Sequence, residues 1–445
     1  GYTGAITKDT LPSYQEKGGY NMNDTVGVSG AEAAFEEYLH GTPGQQALER
    51  NENGKIVSAQ WLTDEETGES LAPQPGSNVF LTIDLGLQQK VEDTLAARVP
   101  GLSDTVEGAA CVVEDVRTGE ILASASYPTY SLPDFRKDYN SLLDDPLKPL
   151  NNRAFSGLYP PGSTFKMISA IAGLEEEIIT PSTIIRDEGQ YTYWPTPQPK
   201  CWIYRQYGRT HGPVNVSDAI EVSCNYFFYE CGSRLGETRL YQYAAAFGLT
   251  SKTGIDLPGE VRSVVGSQNT LYDPTKPVGE SSQDTSRPII VFNSIKSHLK
   301  KCGESRGMEY DDERLSSCAK RLMDMAVAYP ESSWVENMRT ILMEELNMPR
   351  SMVYSNSVIT DTYNYINDIK WGGSQTILTA IGQSVTTVTP IAVARYVTAV
   401  ANGGKVYNVS IVDSIISPEG EVLSRRDPVL INDLNDTNGY FNLIH

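Results

Sequence analysis

Cysteine and histidine, the sulfur and imidazole ligands of transition metals, are few in this chain and stand in no recognisable pattern. Six cysteines (Cys111, Cys201, Cys224, Cys231, Cys302, Cys318) include no Cys-x-x-Cys pair, and the four histidines (His40, His211, His298, His445) are scattered. On spacing alone this argues against a zinc or iron–sulfur site, and no cofactor is expected. Cys224 reads as a packing residue. An even cysteine count permits disulfides but does not pair them. Basic charge is also short: 36 Lys and Arg against 56 Asp and Glu give a net charge of −20. A polyanion repels such a chain, which excludes nucleic acid as a partner, and the one basic cluster, Lys296 to Lys301, reads as a solvated helix face. No run of eighteen apolar residues and no signal peptide is present. With 40% hydrophobic and 21% charged residues over 445 positions, the composition is that of a globular protein with two or more domains.

What the chain does contain is concentrated chemistry. Ser163-Thr164-Phe165-Lys166 follows the turn Tyr159-Pro160-Pro161-Gly162. Phe165, Met167, Ile168, Ile171, Ala172 and Leu174 then recur at helical spacing, which predicts a buried helix beginning at or just before Ser163. Residues three apart share a helix face, so the Lys166 amine is expected beside the Ser163 hydroxyl, where it can take its proton. The positive end of the helix favours the alkoxide. The tetrapeptide alone is weak evidence, since Ser297-His298-Leu299-Lys300 and Ser317-Cys318-Ala319-Lys320 repeat it without a preceding Pro-Gly turn.

A second element strengthens it. Ser223-Cys224-Asn225 lies 60 residues downstream between two short helical patterns, the first of which Ser217 is expected to cap. A serine and an asparagine two apart on a tight connection can point into one cleft, one to relay a proton and the other to hold a carbonyl. Ser267-Gln268-Asn269 carries the same letters and reads as a turn.

Taken with Asn152-Arg153-Ala154, Leu81-Thr82-Ile83-Asp84, Leu87-Gln88-Gln89, Thr253-Gly254-Ile255-Asp256-Leu257-Pro258-Gly259-Glu260, Gly382-Gln383, Thr389-Pro390 and Asn402-Gly403-Gly404, these elements resemble a class B penicillin-binding protein of the elongation type. The resemblance implies an α+β fold, the penicillin-binding transpeptidase and serine β-lactamase-like architecture of an antiparallel sheet packed on helices. It implies a peptidoglycan D,D-transpeptidase that acts through an acyl-enzyme on Ser163, with Lys166, Ser223 and Asn225 as its other catalytic residues. Stem peptides and β-lactams would be its ligands and the cell-wall synthesis machinery its partner. A membrane anchor outside this chain would hold the domain on the extracytoplasmic face of the bacterial cell membrane. Two alternatives stay open: a serine β-lactamase or β-lactam sensor, and a non-catalytic cell-wall scaffold.

The family's third motif is Lys-Ser/Thr-Gly on a strand after the Asn-Gly-Gly helix. Lys252-Thr253-Gly254 has the letters but precedes that helix and runs into Pro258, which cannot donate to a sheet ladder. It reads as a structural connection. No such motif follows Gly404, so the resemblance implies a chain cut at both ends, with one wall of the cleft missing and its activity thereby put in question. Residues 1–75 are expected to be part of an N-terminal pedestal and dimerisation domain, and 76–445 the transpeptidase domain without its C-terminal part. Within it, residues 262–372 depart from the family pattern. Helical periodicity over 289–301, 311–328 and 332–346 predicts an inserted helical subdomain.

Overall fold

The computed structural model describes residues 1–103, 105–193, 198–282 and 286–444. Part of the aromatic stretch from Tyr191 to Tyr207, and His445, lie outside the described residues. The chain divides into two compact units. The first comprises Gly1–Leu158, Lys252–Val261 and Thr389–Asn435, the second Tyr159–Ser251, Arg262–Val388 and Asp436–His445.

The first unit is built on antiparallel pairs. Asn78–Leu81 pairs with Val412–Ile416, which pairs in turn with Val422–Arg425. Ala109–Glu114 and Ile121–Tyr127 form a hairpin whose turn ends at Gly119 (φ +77°), a left-handed position that glycine adopts without strain. Along Ile121–Tyr127 buried and half-buried residues alternate, as a strand with one face on a core requires. Helix Leu85–Arg98 covers this strand, and helix Pro390–Ala401 lies against Ala109–Glu114. The first helix is capped by Asp84, which accepts from Leu87 N at 2.9 Å, and the second by Thr389, which accepts from Ala392 N at 3.3 Å. Ile121, Ala154, Phe155, Ile255, Ile391, Val409 and Ile415 form the core between them. Residues 1–75 add the antiparallel pair Tyr2–Ala5 and Thr25–Ser29, the hairpin Gln46–Arg50 and Ile56–Trp61, and the helices Leu11–Gln15, Gly30–Ala34 and Glu36–Leu39.

Lys252-Thr253-Gly254 lies in this unit and forms no strand. Thr253 is fully buried, its N–H donating to Glu260 Oε1 at 2.5 Å. Asp256 takes a hydrogen bond from Ser410 at 2.7 Å and an ion pair from Arg426 at 2.6 Å. The segment ties the unit together.

The second unit is helical. A 3₁₀ turn over Gly162–Phe165 runs into helix Lys166–Glu175, where eight of ten residues are buried. Burying Phe165, Ile168, Ile171 and Leu174 contributes about 1.5–3 kcal/mol each. This helix packs on Asn225–Ala246, and Gly373–Thr379 packs there too. Glycine allows the close approach, since a Cβ on Gly232 would stand 2.4 Å from the Cβ of Ala380. Helices Arg287–Glu304, Asp312–Ala328, Trp334–Leu346 and Asn356–Asn367 enclose a separate core around Leu322, Trp334, Met338 and Leu342.

Candidate active site

All four sequence-derived candidates belong to the second unit. Ser163 sits exposed in the 3₁₀ turn, while Lys166, the first residue of the helix, is 1% exposed. Ser223 and Asn225 arrive from the turn between helices Val216–Glu221 and Asn225–Ala246. Two hydrogen bonds close that turn, Ser223 N to Ile220 O at 3.0 Å and Cys224 N to Ala219 O at 2.8 Å. They hold Ser223 at φ +52°, a left-handed conformation that a serine adopts at a cost of order 1 kcal/mol and that aims its hydroxyl at Ser163. The first helix is capped by Asn215, not by Ser217 as expected. Asn215 Oδ1 accepts from Asp218 N at 2.9 Å, and Asp218 reciprocates in a capping box. Ser217 instead donates to Leu443 O at 3.2 Å.

Lys166 Nζ has three donors and spends each on an acceptor from this turn: Asn225 Oδ1 at 2.6 Å, Ser223 Oγ at 2.9 Å and Ser223 O at 2.9 Å. Ser223 Oγ donates to Ser163 Oγ at 3.0 Å. The spacing of Ser163 and Lys166 predicted direct contact; the structure places the Ser223 hydroxyl between them. The lysine stem runs inward from the first helical turn, and its amine meets the second motif before it meets the serine. Burial lowers the Lys166 pKa to about 8, with the Cys224 and Cys201 thiols opposing the shift weakly. The ring of Phe228 lies 5.8 Å from Nζ. The arrangement is a hydrogen-bonded line from an exposed hydroxyl, through a second hydroxyl, to a buried amine that loses its proton close to neutral pH.

Beside this line is a cluster that spacing did not reveal. Asp187, Cys201, His211 and Cys224 bring one ligand atom each within 4.8 Å of one another. His211 Nδ1 lies 2.8 Å from Asp187 Oδ2 and 3.6 Å from Cys201 Sγ, and all four side chains are almost wholly buried. The antiparallel pair Ile185–Asp187 and Gly212–Val214 brings Asp187 to His211. Cys201 N donates to Gly189 O at 2.8 Å, and Trp202 Nε1 to Val222 O at 3.1 Å, fixing the third segment against the turn of Ser223. Hydrogen bonding from the Cys224 thiol holds the Cys201 thiol down, and the same contact pushes Cys224 up. Two sulfurs, an imidazole nitrogen and a carboxylate oxygen are a tetrahedral donor set. Bonds of about 2.0–2.3 Å to zinc would set ligands about 3.3–3.8 Å apart, a contraction of roughly 1 Å from the widest spacing here. Spacing argued against a metal site; the fold nonetheless brings these four donor side chains together, Cys224 among them.

Comparison with known proteins gives the context. Residues 109–283 and 350–442 match the family model described as "Penicillin binding protein transpeptidase domain", and residues 1–73 match "Penicillin-binding Protein dimerisation domain". The chain is 36% identical over 265 residues to the peptidoglycan D,D-transpeptidase MrdA of Acinetobacter baumannii, 58% of this chain and 36% of that protein. To MrdA of Escherichia coli K12 it is 36% identical over 248 residues, 54% of this chain and 36% of that protein. The aligned stretch thus spans about a third of the length of these relatives. Among solved structures, Pseudomonas aeruginosa PBP2 in complex with WCK 5153 aligns with a TM-score of 0.59 at 21% identity, covering 100% of this chain and 70% of that one. Helicobacter pylori PBP2 in complex with MreC aligns with a TM-score of 0.63 at 20% identity, covering 100% and 61%. At these identities the structures speak to the fold, which is the mixed sheet-and-helix architecture of transpeptidases. Residues 284–349, which hold three of the four helices around that separate core, fall outside the transpeptidase match.

Proposed function

Because this chain belongs to the penicillin-binding proteins that carry a transpeptidase domain, we propose that it is a serine-type peptidoglycan D,D-transpeptidase, acylated on Ser163 by stem peptides ending in D-Ala-D-Ala and by β-lactams. The observation that carries this reading is the line Ser163–Ser223–Lys166 with Asn225 at its end.

With Lys166 uncharged, the polarity of the line reverses. Ser163 gives its proton to Ser223 as Ser223 gives its own to Lys166, and the Ser163 oxygen attacks the penultimate carbonyl. The positive end of the helix that begins at Lys166 favours the oxyanion. When the intermediate collapses, the line runs forward: Lys166 returns a proton to Ser223, and Ser223 passes its own to the departing D-Ala amine. Asn225 Oδ1 is engaged by Lys166, which leaves its Nδ2 to donate to a substrate carbonyl. An amine from a neighbouring strand then attacks the acyl-enzyme and forms the cross-link.

Asp187, Cys201, His211 and Cys224 would hold a tetrahedral zinc ion. Four protein ligands leave no open coordination position, so the ion would supply a structural cross-link. The residues themselves fasten the Ser223–Asn225 turn to the segments on either side of it.

The cell-wall synthesis machinery is the proposed partner, in keeping with the complex of Helicobacter pylori PBP2 with MreC, and the extracytoplasmic face of the cell membrane is the proposed location. Residues 1–75 would serve as pedestal and the helices of 262–372 as an inserted subdomain. Adduct lifetime after benzylpenicillin treatment tests the proposal. A transpeptidase keeps the acyl group for many turnover times of a lactamase, whereas rapid release of penicilloate with regenerated enzyme would assign a β-lactamase instead.

A further inference from the structure

We propose that Cys201 and Cys224 are an oxidisable pair: in the cation-free protein a small-molecule disulfide closes them into a Cys201–Cys224 bond, and a bound cation and that bond exclude each other. The inference goes beyond the transpeptidase reading, and its chemistry does not depend on it.

Proximity is the first argument. Both sulfurs belong to a cluster no wider than 4.8 Å, so the approach to a bond of about 2.05 Å is short. The backbone at both cysteines is also held by hydrogen bonds. Cys201 is fixed by its N–H to Gly189 O, Cys224 by its N–H to Ala219 O, and the Trp202 indole bridges the two segments through Val222 O at 3.1 Å. The remaining thiols have other surroundings. Cys111 is on a strand of the first unit, Cys231 donates to Ser169 O at 3.5 Å, Cys302 lies 3.7 Å from a His298 ring nitrogen, and Cys318 is buried in the helical insertion.

The chemistry balances with an oxidant of the disulfide class. Both sulfurs are fully buried, so the reaction proceeds through local opening of the segment around Cys201: its thiol displaces one half of the small disulfide, releasing it as a thiol and leaving a mixed disulfide. The Cys224 thiol then attacks the Cys201 sulfur and releases the second half as a thiol. Two protein S–H bonds are lost, one S–S bond is gained, and the oxidant is reduced by two electrons. Both sulfurs are ligands when a cation is bound, and a thiolate donating to a metal is not free to attack. Because Cys224 stands between Ser223 and Asn225, the bond would form inside the catalytic turn.

The test uses the whole chain. The protein is reduced and stripped with a chelator, exposed to oxidised glutathione while folded, then denatured and blocked with N-ethylmaleimide before peptide mapping. The expected result is one linked peptide pair, Cys201 with Cys224, and maleimide on the other four of the six cysteines. Preloading with zinc should leave all six carrying maleimide. Cys201→Asp, which keeps four ligand atoms but only one sulfur, should bind zinc by elemental analysis and give no linked pair. Maleimide on both Cys201 and Cys224 after cation-free oxidation would overturn the proposal, as would a stable link to any other cysteine or to glutathione. A linked pair formed equally with zinc present would overturn the mutual exclusion.

Discussion

Acylation of Ser163 should follow the titration of Lys166, and the structure sets both the midpoint and the size of the effect. Lys166 is 1% exposed, and burial brings its pKa from 10.5 to about 8. Only the uncharged amine can receive the proton relayed from Ser163 through Ser223. With a midpoint of about 8, about one molecule in ten carries a neutral lysine at pH 7 and about nine in ten at pH 9, so the acylation rate should rise about tenfold and then level off. An unburied lysine with a pKa near 10.5 would give about a hundredfold rise over the same interval and no plateau. The assay is the second-order rate of labelling by a fluorescent penicillin between pH 6 and 9.5, corrected for alkaline hydrolysis of the reagent. A flat profile would refute the role of Lys166 as proton acceptor. A hundredfold rise without levelling would refute the claim that burial tunes it.

Further outcomes follow from other residues. Asn215→Ala removes the cap that accepts from Asp218 N and should cost about 1 kcal/mol in chemical denaturation. It should also slow acylation, because that helix ends in the turn holding Ser223. Glu114 has a folded-state pKa raised from 4.5 to about 7, chiefly by burial, so the folded protein holds this proton more tightly than the unfolded chain. Its stabilising contribution is complete below about pH 4.5 and fades as the pH rises through 7, by about 3 kcal/mol at most. Melting temperatures of Glu114→Gln should therefore fall less than wild type across that window, and parallel curves would refute this. Trp334, fully buried in the separate helical core, should cost about 3–5 kcal/mol when replaced by alanine, read as early melting of the helices around it in hydrogen exchange.

Much of this architecture is legible in the chain because it is written in local chemistry. Three helices follow their apolar periodicity: the expected spans 289–301, 311–328 and 332–346 appear as Arg287–Glu304, Asp312–Ala328 and Trp334–Leu346. The helix capped by Thr389 begins where Thr-Pro marks it, and the hairpins around Gly119 and Gly420 form where the turn residues stand. Helix Asn356–Asn367 escaped notice because Asn-Ser-Val-Ile-Thr-Asp-Thr-Tyr-Asn-Tyr is poor in strong helix formers, and packing in the insertion overrides propensity. Ser223 could be named as a site candidate from its motif, but its place between Ser163 and Lys166 depends on how two helices meet. The Asp187–Cys201–His211–Cys224 cluster was invisible for a related reason. Its donors come from a strand end, two loop positions and the catalytic turn, with no fixed spacing to betray them. The signal available was Cys224 lodged inside the second motif, with the lone His211 thirteen residues ahead of it.

The measurement that bears most directly on the central claim is intact-mass spectrometry of this chain and of Ser163→Ala after incubation with benzylpenicillin, followed by peptide mapping. The account predicts one penicilloyl adduct per chain, carried on the peptide that contains Ser163 and absent from the variant. An adduct of equal yield on Ser163→Ala, or one mapped to another residue, would contradict it.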